Sequence, residues 1–168
     1  MKIIKNFTLA AVAVIAVTLL FQPSVTLAGG NGKQDEHGQQ AKVSFIKWVT
    51  DVPFRPGLIA NMGGLVGGEV GTGTFTGELL LNEPTATGSH KVAVYHFNGP
   101  EHSFTAVVNV VQTGVGPGAT AAITGIVTDG WLRGHALEGE YTEIQCSHDG
   151  ITSSCWEGSL EIQRDSRD

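Results

Sequence analysis

Residues 121–163 read AAITGIVTDGWLRGHALEGEYTEIQCSHDGITSSCWEGSLEIQ and repeat one short pattern, an apolar residue followed by Thr or Glu and then Gly. Each copy lies in a run that alternates with period two, which is typical of β-strands. The glycines fall on the apolar side, where a missing side chain lets sheets bend and approach closely. The stretch therefore predicts strands coiled into a small barrel. The copies in this stretch are Ile123-Thr124-Gly125, Leu137-Glu138-Gly139 and Trp156-Glu157-Gly158, and one earlier copy is Phe75-Thr76-Gly77.

The only two cysteines, Cys146 and Cys155, lie in this stretch and are expected to form a disulfide across a hairpin. If the two cysteines face each other, both lie on the outer, Glu-rich face and the apolar residues of both strands point inward. A slip of one residue would move every side chain of one strand to the opposite face. Their spacing is not that of a Cys-x-x-Cys redox pair, and two cysteines alone do not complete a zinc site. In this register the facing pairs are Ile144 with Glu157, Glu143 with Gly158, and Tyr141 with Leu160.

The first 28 residues are expected to be a secretory signal peptide. Lys2 and Lys5 supply the positive start, Leu9–Phe21 the apolar centre, and Thr26-Leu27-Ala28 the small-residue cleavage site. The apolar run is short for a transmembrane anchor. The sequence therefore predicts a secreted or periplasmic protein cleaved near Ala28, in a compartment where a disulfide persists.

The remaining 140 residues fit one domain. We expect a flexible polar leader at residues 29–42, a barrel domain at 43–163 and a tail at 164–168, because the leader is rich in glycine and polar residues. The signal holds two of the ten basic and none of the sixteen acidic residues, so the rest carries a net charge of −8. An acidic chain without a basic cluster is not expected to bind nucleic acid or anionic membrane.

Seven or eight short strands follow one another without a helical pattern, which predicts an all-β protein with one antiparallel barrel of about eight strands. Val43–Thr50 is the first strand, and Asn98–Glu101 joins two apolar strands. In the simplest register of that hairpin, Tyr95 faces Phe104 and His96 faces Ser103. The glycine-rich run 63–73 lacks the Gly-Lys-Ser/Thr ending of a phosphate-binding loop, so it is interpreted as a curved strand.

No catalytic or cofactor-binding motif is found, so candidate chemistry depends on polar residues predicted to point inward. His135, Tyr141 and Glu143 share one side of their strand and could supply a general acid or base. The alternative is that they are solvated at the barrel mouth. His96 and His102 flank a hairpin tip, but two histidines without a third ligand do not predict a metal site, and no cofactor is expected.

Asp129, Trp131 and Arg133 form a corner of the chain, for which three interpretations remain open. The corner could line a ligand entrance, contact a protein partner, or plug one end of the barrel.

The strands GTGTFTGELL (71–80), AITGIV (122–127) and CWEGSLEI (155–162) resemble, in pattern, the barrel of allene oxide cyclases and plant dirigent proteins. The resemblance extends over about Val43 to Gln163. It implies a cavity for a small apolar molecule, but it matches no catalytic motif and transfers no catalytic residue, since a fold alone does not fix function.

The sequence therefore predicts a secreted barrel that binds a small apolar molecule inside. One alternative is a cyclase or isomerase acting on such a molecule, and another is a protein interaction or inhibitor module that works through its loops. The predicted ligand-binding residues are Tyr95, Phe104, Trp131 and Trp156.

Overall fold

Eight β-strands run through residues 40–53, 56–148 and 151–164, which are the residues described by the computed structural model. Each strand pairs antiparallel with the next along the chain, and β1 also pairs with β8, so the sheet closes into a barrel. The predicted fold is therefore confirmed. The strands are β1 (Ala41–Asp51), β2 (Ala60–Gly68), β3 (Gly73–Pro84), β4 (Gly88–Asn98), β5 (Ser103–Thr113), β6 (Thr120–Gly130), β7 (Ala136–His148) and β8 (Ile151–Ile162).

The strand boundaries differ from the expected ones at three places. β1 begins at Ala41, two residues before the predicted strand, and the glycine-rich run 63–73 divides into the end of β2, a turn and the start of β3. The turn predicted over residues 82–90 is shorter, because β3 continues to Pro84 and β4 begins at Gly88. The predicted signal peptide and residues 29–39 of the predicted leader lie outside the described residues. No helix in the described ranges is long and apolar enough to cross a membrane.

The β4–β5 hairpin has a register two residues away from the expected one. Tyr95 faces Ala106, not Phe104, and His96 faces Thr105, not Ser103. The ladder ends at Asn98 and Ser103, and the Gly99 N–H donates to the carbonyl oxygen of His102 at 3.1 Å, so the connection is centred on Pro100 and Glu101. A shift of two residues keeps each side chain on its predicted face.

The β7–β8 hairpin is shifted by two residues as well, so the prediction of directly opposed cysteines is wrong. His148 pairs with Ile151, so the two residues between them in the sequence are Asp-Gly. Asp-Gly favours two-residue hairpin connections. Directly opposed cysteines would instead place Gly-Ile between the paired strands. The predicted facing of Glu143 with Gly158 is therefore wrong too. The observed pairs are Cys146 with Ser153, Ile144 with Cys155, Glu143 with Trp156, and Tyr141 with Gly158.

The predicted disulfide between Cys146 and Cys155 is confirmed, and it joins the two strands diagonally with 5.8 Å between the Cα atoms. Cys155 alternates with the inward residues Trp156 and Gly158, so it belongs to the outer face, as expected. It is nevertheless fully buried, since its neighbours across the two ladders are Ile144 and Trp48.

Glycines on the inner face let the barrel curl tightly. A Cβ atom at Gly139 would lie 2.1 Å from the carbonyl oxygen of Ser159, and one at Gly158 would lie 2.1 Å from that of Glu140. These contacts are far inside van der Waals distance, so only glycine permits this approach of β7 and β8. The repeated glycines of the sequence pattern thus have the predicted role.

The two ends of the barrel are filled differently. At the end where β2, β4, β6 and β8 finish, here called the packed end, Phe97 and Phe104 stack with their ring centroids 4.5 Å apart. Trp131 covers Phe104 with its ring centroid 6.3 Å away. The opposite end, where β1, β3, β5 and β7 finish, is called the cavity end. Phe45, Phe75 and Tyr95 pack between the two ends.

Candidate functional site

A cavity of about 240 Å³ lies at the cavity end and is partly open to solvent. Its apolar wall comes from residues on the inner faces of β1 to β4, and its polar atoms come from two lysines, two tyrosines, an asparagine and a tryptophan. The volume is below the roughly 300–1,000 Å³ of pockets for drug-sized ligands, so it suits a smaller molecule. The lining residues are Lys47, Val49, Met62, Leu79, Asn82, Lys91, Ala93, Tyr95, Tyr141 and Trp156.

Lys47 lies at the bottom of this cavity because of the alternation of β1. Ala41, Val43 and Phe45 point into the barrel, and Lys47 is the next residue on that side. Its side chain is only 3% exposed. The facing residue on β2 is Gly64, and a Cβ atom there would lie 2.1 Å from the carbonyl oxygen of Ile46, so the two strands approach closely beside Lys47.

The amino group of Lys47 donates a hydrogen bond to the hydroxyl of Tyr95. It also lies 4.0 Å from the centroid of the Tyr95 ring and 4.9 Å from that of Tyr141. Within the described residues, no carboxylate forms an ion pair with this amino group. A buried amine without a counter-ion is costly in its charged form.

The electrostatic surroundings favour the neutral form of this amine. Burial holds the pKa of Lys47 well below the usual range of a lysine, and the positive charge of Lys91 lowers it further. Burial also raises the pKa of the Tyr95 and Tyr141 phenols, with smaller upward contributions from Tyr141 on Tyr95 and from Glu143 on Tyr141. Both tyrosines therefore stay protonated, and Lys47 can act as a free amine.

Lys91, Gln112 and Tyr141 form a second polar group beside Lys47. The Lys91 amino group donates to Gln112 Oε1 and, at 3.3 Å, to the Tyr141 hydroxyl. The Tyr141 hydroxyl donates to the same Gln112 oxygen at 3.0 Å. Burial lowers the pKa of Lys91, and the Glu143 carboxylate acts in the opposite direction. Lys91 is thus the more solvated of the two lysines and the closer to a carboxylate.

A β-bulge turns Asn82 into this site. Leu79 pairs with Ala93 and Leu81 pairs with Val92, so β3 carries one extra residue at this point. One extra residue reverses the alternation beyond it, which brings Asn82 opposite Lys91 on the cavity side.

Trp156 contributes a hydrogen-bond donor that has no acceptor. Its indole Nε1 is buried, and no group among the described residues accepts its hydrogen bond. Trp156 faces Lys47 across the β1–β8 ladder, so the indole and the amine are neighbours on the cavity wall. Buried donors are normally paired, so this N–H is an exception among the buried polar atoms of the described residues.

The cavity therefore combines an apolar wall with an excess of donors. The lysine amino groups have more hydrogens than the contacts they make, whereas the Tyr141 hydroxyl already donates to the Gln112 oxygen, which accepts two hydrogen bonds. This arrangement fits a small apolar molecule that carries an acceptor such as a carbonyl oxygen.

No protein-family model, curated protein or solved structure matches the chain.

The predicted ligand-binding residues divide between the two ends of the barrel. Tyr95 and Trp156 line the cavity, whereas Phe104 and Trp131 lie at the packed end. The ring of Trp131 stacks on that of His102, with centroids 4.0 Å apart, and the Arg164 guanidinium lies 5.4 Å from the Trp131 ring centroid. Trp131 therefore packs on the end of the barrel, whereas Asp129 and Arg133 are exposed, and a role of this corner in binding stays a prediction.

The predicted acid and base candidates are only partly brought together. Tyr141 lines the cavity, and Glu143 is buried next to it, accepting a hydrogen bond from Ser154 Oγ at 2.8 Å. His135 precedes β7 and its Nδ1 lies 2.7 Å from the carbonyl oxygen of Gln163. At about 3.4 Å per strand residue, His135 is roughly 20 Å from Tyr141 along the strand. The catalytic role of each residue stays a prediction.

The other polar candidate, the pair His96 and His102, is separated by its surroundings. His96 is on the outer side of β4, with Nδ1 3.0 Å from Thr105 Oγ1, while His102 is stacked on Trp131. In the described part of the chain, no three His, Cys, Asp or Glu side chains are grouped so that they could hold a metal ion.

Lys47, Lys91 and Gln112 were not among the residues expected at the site. The signal was present in the sequence, since Lys47 has the same parity as Val43 and Phe45 in the run VSFIKWVT. Charged residues are rarely fully buried, so a lysine near a strand end is normally expected to reach solvent.

Proposed function

We propose that this protein is an exported barrel that binds a small apolar molecule with a hydrogen-bond acceptor in the cavity at Lys47. The observation that carries the proposal is the buried amine of Lys47, which lines a cavity with apolar walls. A cavity that were merely a packing defect would not be expected to combine buried donors with open space. The disulfide supports export, because disulfides persist in oxidising compartments.

The first experiment is native mass spectrometry of protein purified from its own source. A bound compound with an apolar skeleton and a carbonyl or similar acceptor is the expected finding. Calorimetric titration with small apolar alcohols and aldehydes, such as hexanol and hexanal, covers the case in which the natural ligand is lost in purification. No co-purified compound and no binding of any such probe would refute the proposal.

A matched pair of variants places the ligand. Ala93 lines the cavity and is 1% exposed, so Ala93→Leu fills the space that the ligand needs. Ala122 is exposed on the outer face of β6, so Ala122→Leu adds the same atoms elsewhere. We expect Ala93→Leu to weaken hexanol binding at least tenfold and Ala122→Leu to leave it unchanged. Equal effects of the two variants would show that the ligand binds outside the barrel.

A further inference from the structure

The amine of Lys47 combines features that rarely occur together in a binding cavity. It is buried, it borders open space, and no carboxylate among the described residues neutralises it. Within the described ranges it donates a hydrogen bond to the Tyr95 hydroxyl. A lysine that only needed to pack could be replaced by an apolar residue of similar volume without the cost of burying an amine.

A second cation close to a buried lysine is a known way to produce a nucleophilic amine. Lys91 lies in the same cavity, and its charge acts on Lys47 together with desolvation. Both effects favour the neutral amine, which has the lone pair needed to attack a carbonyl carbon. Lys91 itself is held by Gln112 and Tyr141, so it is oriented as a neighbour of Lys47.

We propose that Lys47 binds an apolar aldehyde covalently, as an imine, inside the cavity. This inference rests on the proposed function, because it specifies the chemical class of the molecule that the cavity binds. The aldehyde carbon is placed at Lys47 Nζ, and its apolar skeleton lies against Met62 and Leu79.

The reaction is balanced without an oxidant or a reductant. The Nζ lone pair forms a bond to the carbonyl carbon, and the carbonyl oxygen takes up one of the two nitrogen protons to give a carbinolamine. The carbinolamine then loses its hydroxyl and the remaining nitrogen proton as one water molecule, which leaves the C=N double bond. The Tyr95 hydroxyl, already hydrogen-bonded to Nζ, is placed to pass protons between nitrogen and oxygen.

The test is reductive trapping of hexanal with cyanoborohydride near neutral pH, followed by peptide mapping of the lysines. Lys42 is the internal control, because its side chain is 71% exposed and paired with Glu161. An exposed, ion-paired lysine is the reference for the reactivity of an ordinary surface amine. We expect Lys47 to be labelled at least tenfold faster than Lys42, and the labelling of position 47 to be lost in Lys47→Met.

The Tyr95→Phe variant separates a special site from mere exposure of an amine. It keeps the ring but removes the hydroxyl beside Nζ, so trapping at Lys47 is expected to slow severalfold while trapping at Lys42 is unchanged. Labelling of Lys47 no faster than that of Lys42 would overturn the inference.

Hexanol, which has no carbonyl group, distinguishes the two proposals. Calorimetric binding of hexanol at the cavity, without selective trapping of hexanal at Lys47, would leave the proposed function intact and refute the imine. If neither hexanol binding nor selective trapping of hexanal is observed, the proposed function and the imine are both refuted. Selective trapping that Ala93→Leu abolishes and Ala122→Leu preserves is the expected result.

Discussion

The amino group of Lys47 donates its hydrogen bond to the hydroxyl of Tyr95 in the interior of the barrel, and both side chains are at least 97% buried. A charged group in such a place normally has a carboxylate partner. Here a phenol and aromatic rings take that position. The interior of this barrel therefore disfavours the charged form of Lys47 and lowers its pKa.

The first prediction concerns the pH dependence of stability. The pKa of Lys47 is lower in the folded protein than in the unfolded chain, so the unfolded chain binds more protons between these two values and stability rises with pH there. Lys47→Met removes this dependence. At low pH the variant should be more stable than the wild type, because it has no amine to bury. This gain in unfolding free energy should shrink as the pH increases, by up to about 1.4 kcal/mol per pH unit.

Urea denaturation of the wild type and the variant between about pH 6 and pH 9 measures this difference. The upper limit avoids the range above about pH 10, where unfolded tyrosines ionise and the raised pKa values of Tyr95 and Tyr141 make stability fall. The titratable groups nearest Lys47 are Lys91, Tyr95, Tyr141 and, beside Lys91, Glu143. Lys42→Met is the exposed control, and a gain that stays constant with pH would contradict the prediction.

The second prediction is a coupling between Lys47 and Tyr95. Tyr95→Phe leaves the buried amine without its hydrogen-bond partner and should cost about 1–3 kcal/mol. In a Lys47→Met background the same change removes a hydroxyl that has already lost its donor, so it should cost much less. A double-mutant cycle measures the coupling free energy, and additive effects would show that the hydrogen bond contributes nothing.

The architecture was predictable because alternation is a local property of the sequence. The inward and outward sides of β7 and β8 follow from their period-two pattern, and the inner glycines predict the tight barrel. The register depends on the connection between strands. In both hairpins the simplest assumption was wrong by two residues, which left every side chain on its predicted face but changed the neighbours of Glu143 and Tyr95.

The functional site was less predictable because it is assembled from distant strands. Tyr95, Tyr141 and Trp156 could be placed inside from their parity alone. The contacts of Lys47 come from β4 and β7, and Asn82 points inward only because of a bulge in β3. Neither the burial of a lysine nor the position of a bulge follows from the local pattern.

The third prediction tests the role of the inner glycines. Gly139→Ala places a Cβ against the backbone carbonyl of Ser159, which can move only if β7 and β8 separate. We expect a loss of more than about 2 kcal/mol of unfolding free energy, in the range of strained or overpacked core substitutions. Gly67→Ala is the matched control, since its Cβ would meet only the Ser44 hydroxyl at 3.0 Å, and that side chain can rotate. Equal losses would mean that close approach at Gly139 is not what requires glycine.

The last prediction concerns the disulfide. Cys146 and Cys155 are nine residues apart, and a loop of this length constrains the unfolded chain by about 2.7 kcal/mol in chain-entropy terms. The double substitution Cys146→Ala, Cys155→Ala should therefore lower the unfolding free energy by about this amount, plus a packing cost at Cys155, which is fully buried.

The single substitution Cys146→Ala under reducing conditions separates the two contributions, because it removes the covalent bond but leaves the buried sulfur of Cys155 in place. Compared with it, the double variant reports the packing of that sulfur alone. Intact mass before and after reduction tests whether the disulfide is present in the isolated protein, since reduction of a disulfide adds two hydrogens to the mass. An unchanged mass would mean that the cysteines are free in the isolated protein. A disulfide between β7 and β8 would then contribute nothing to its stability.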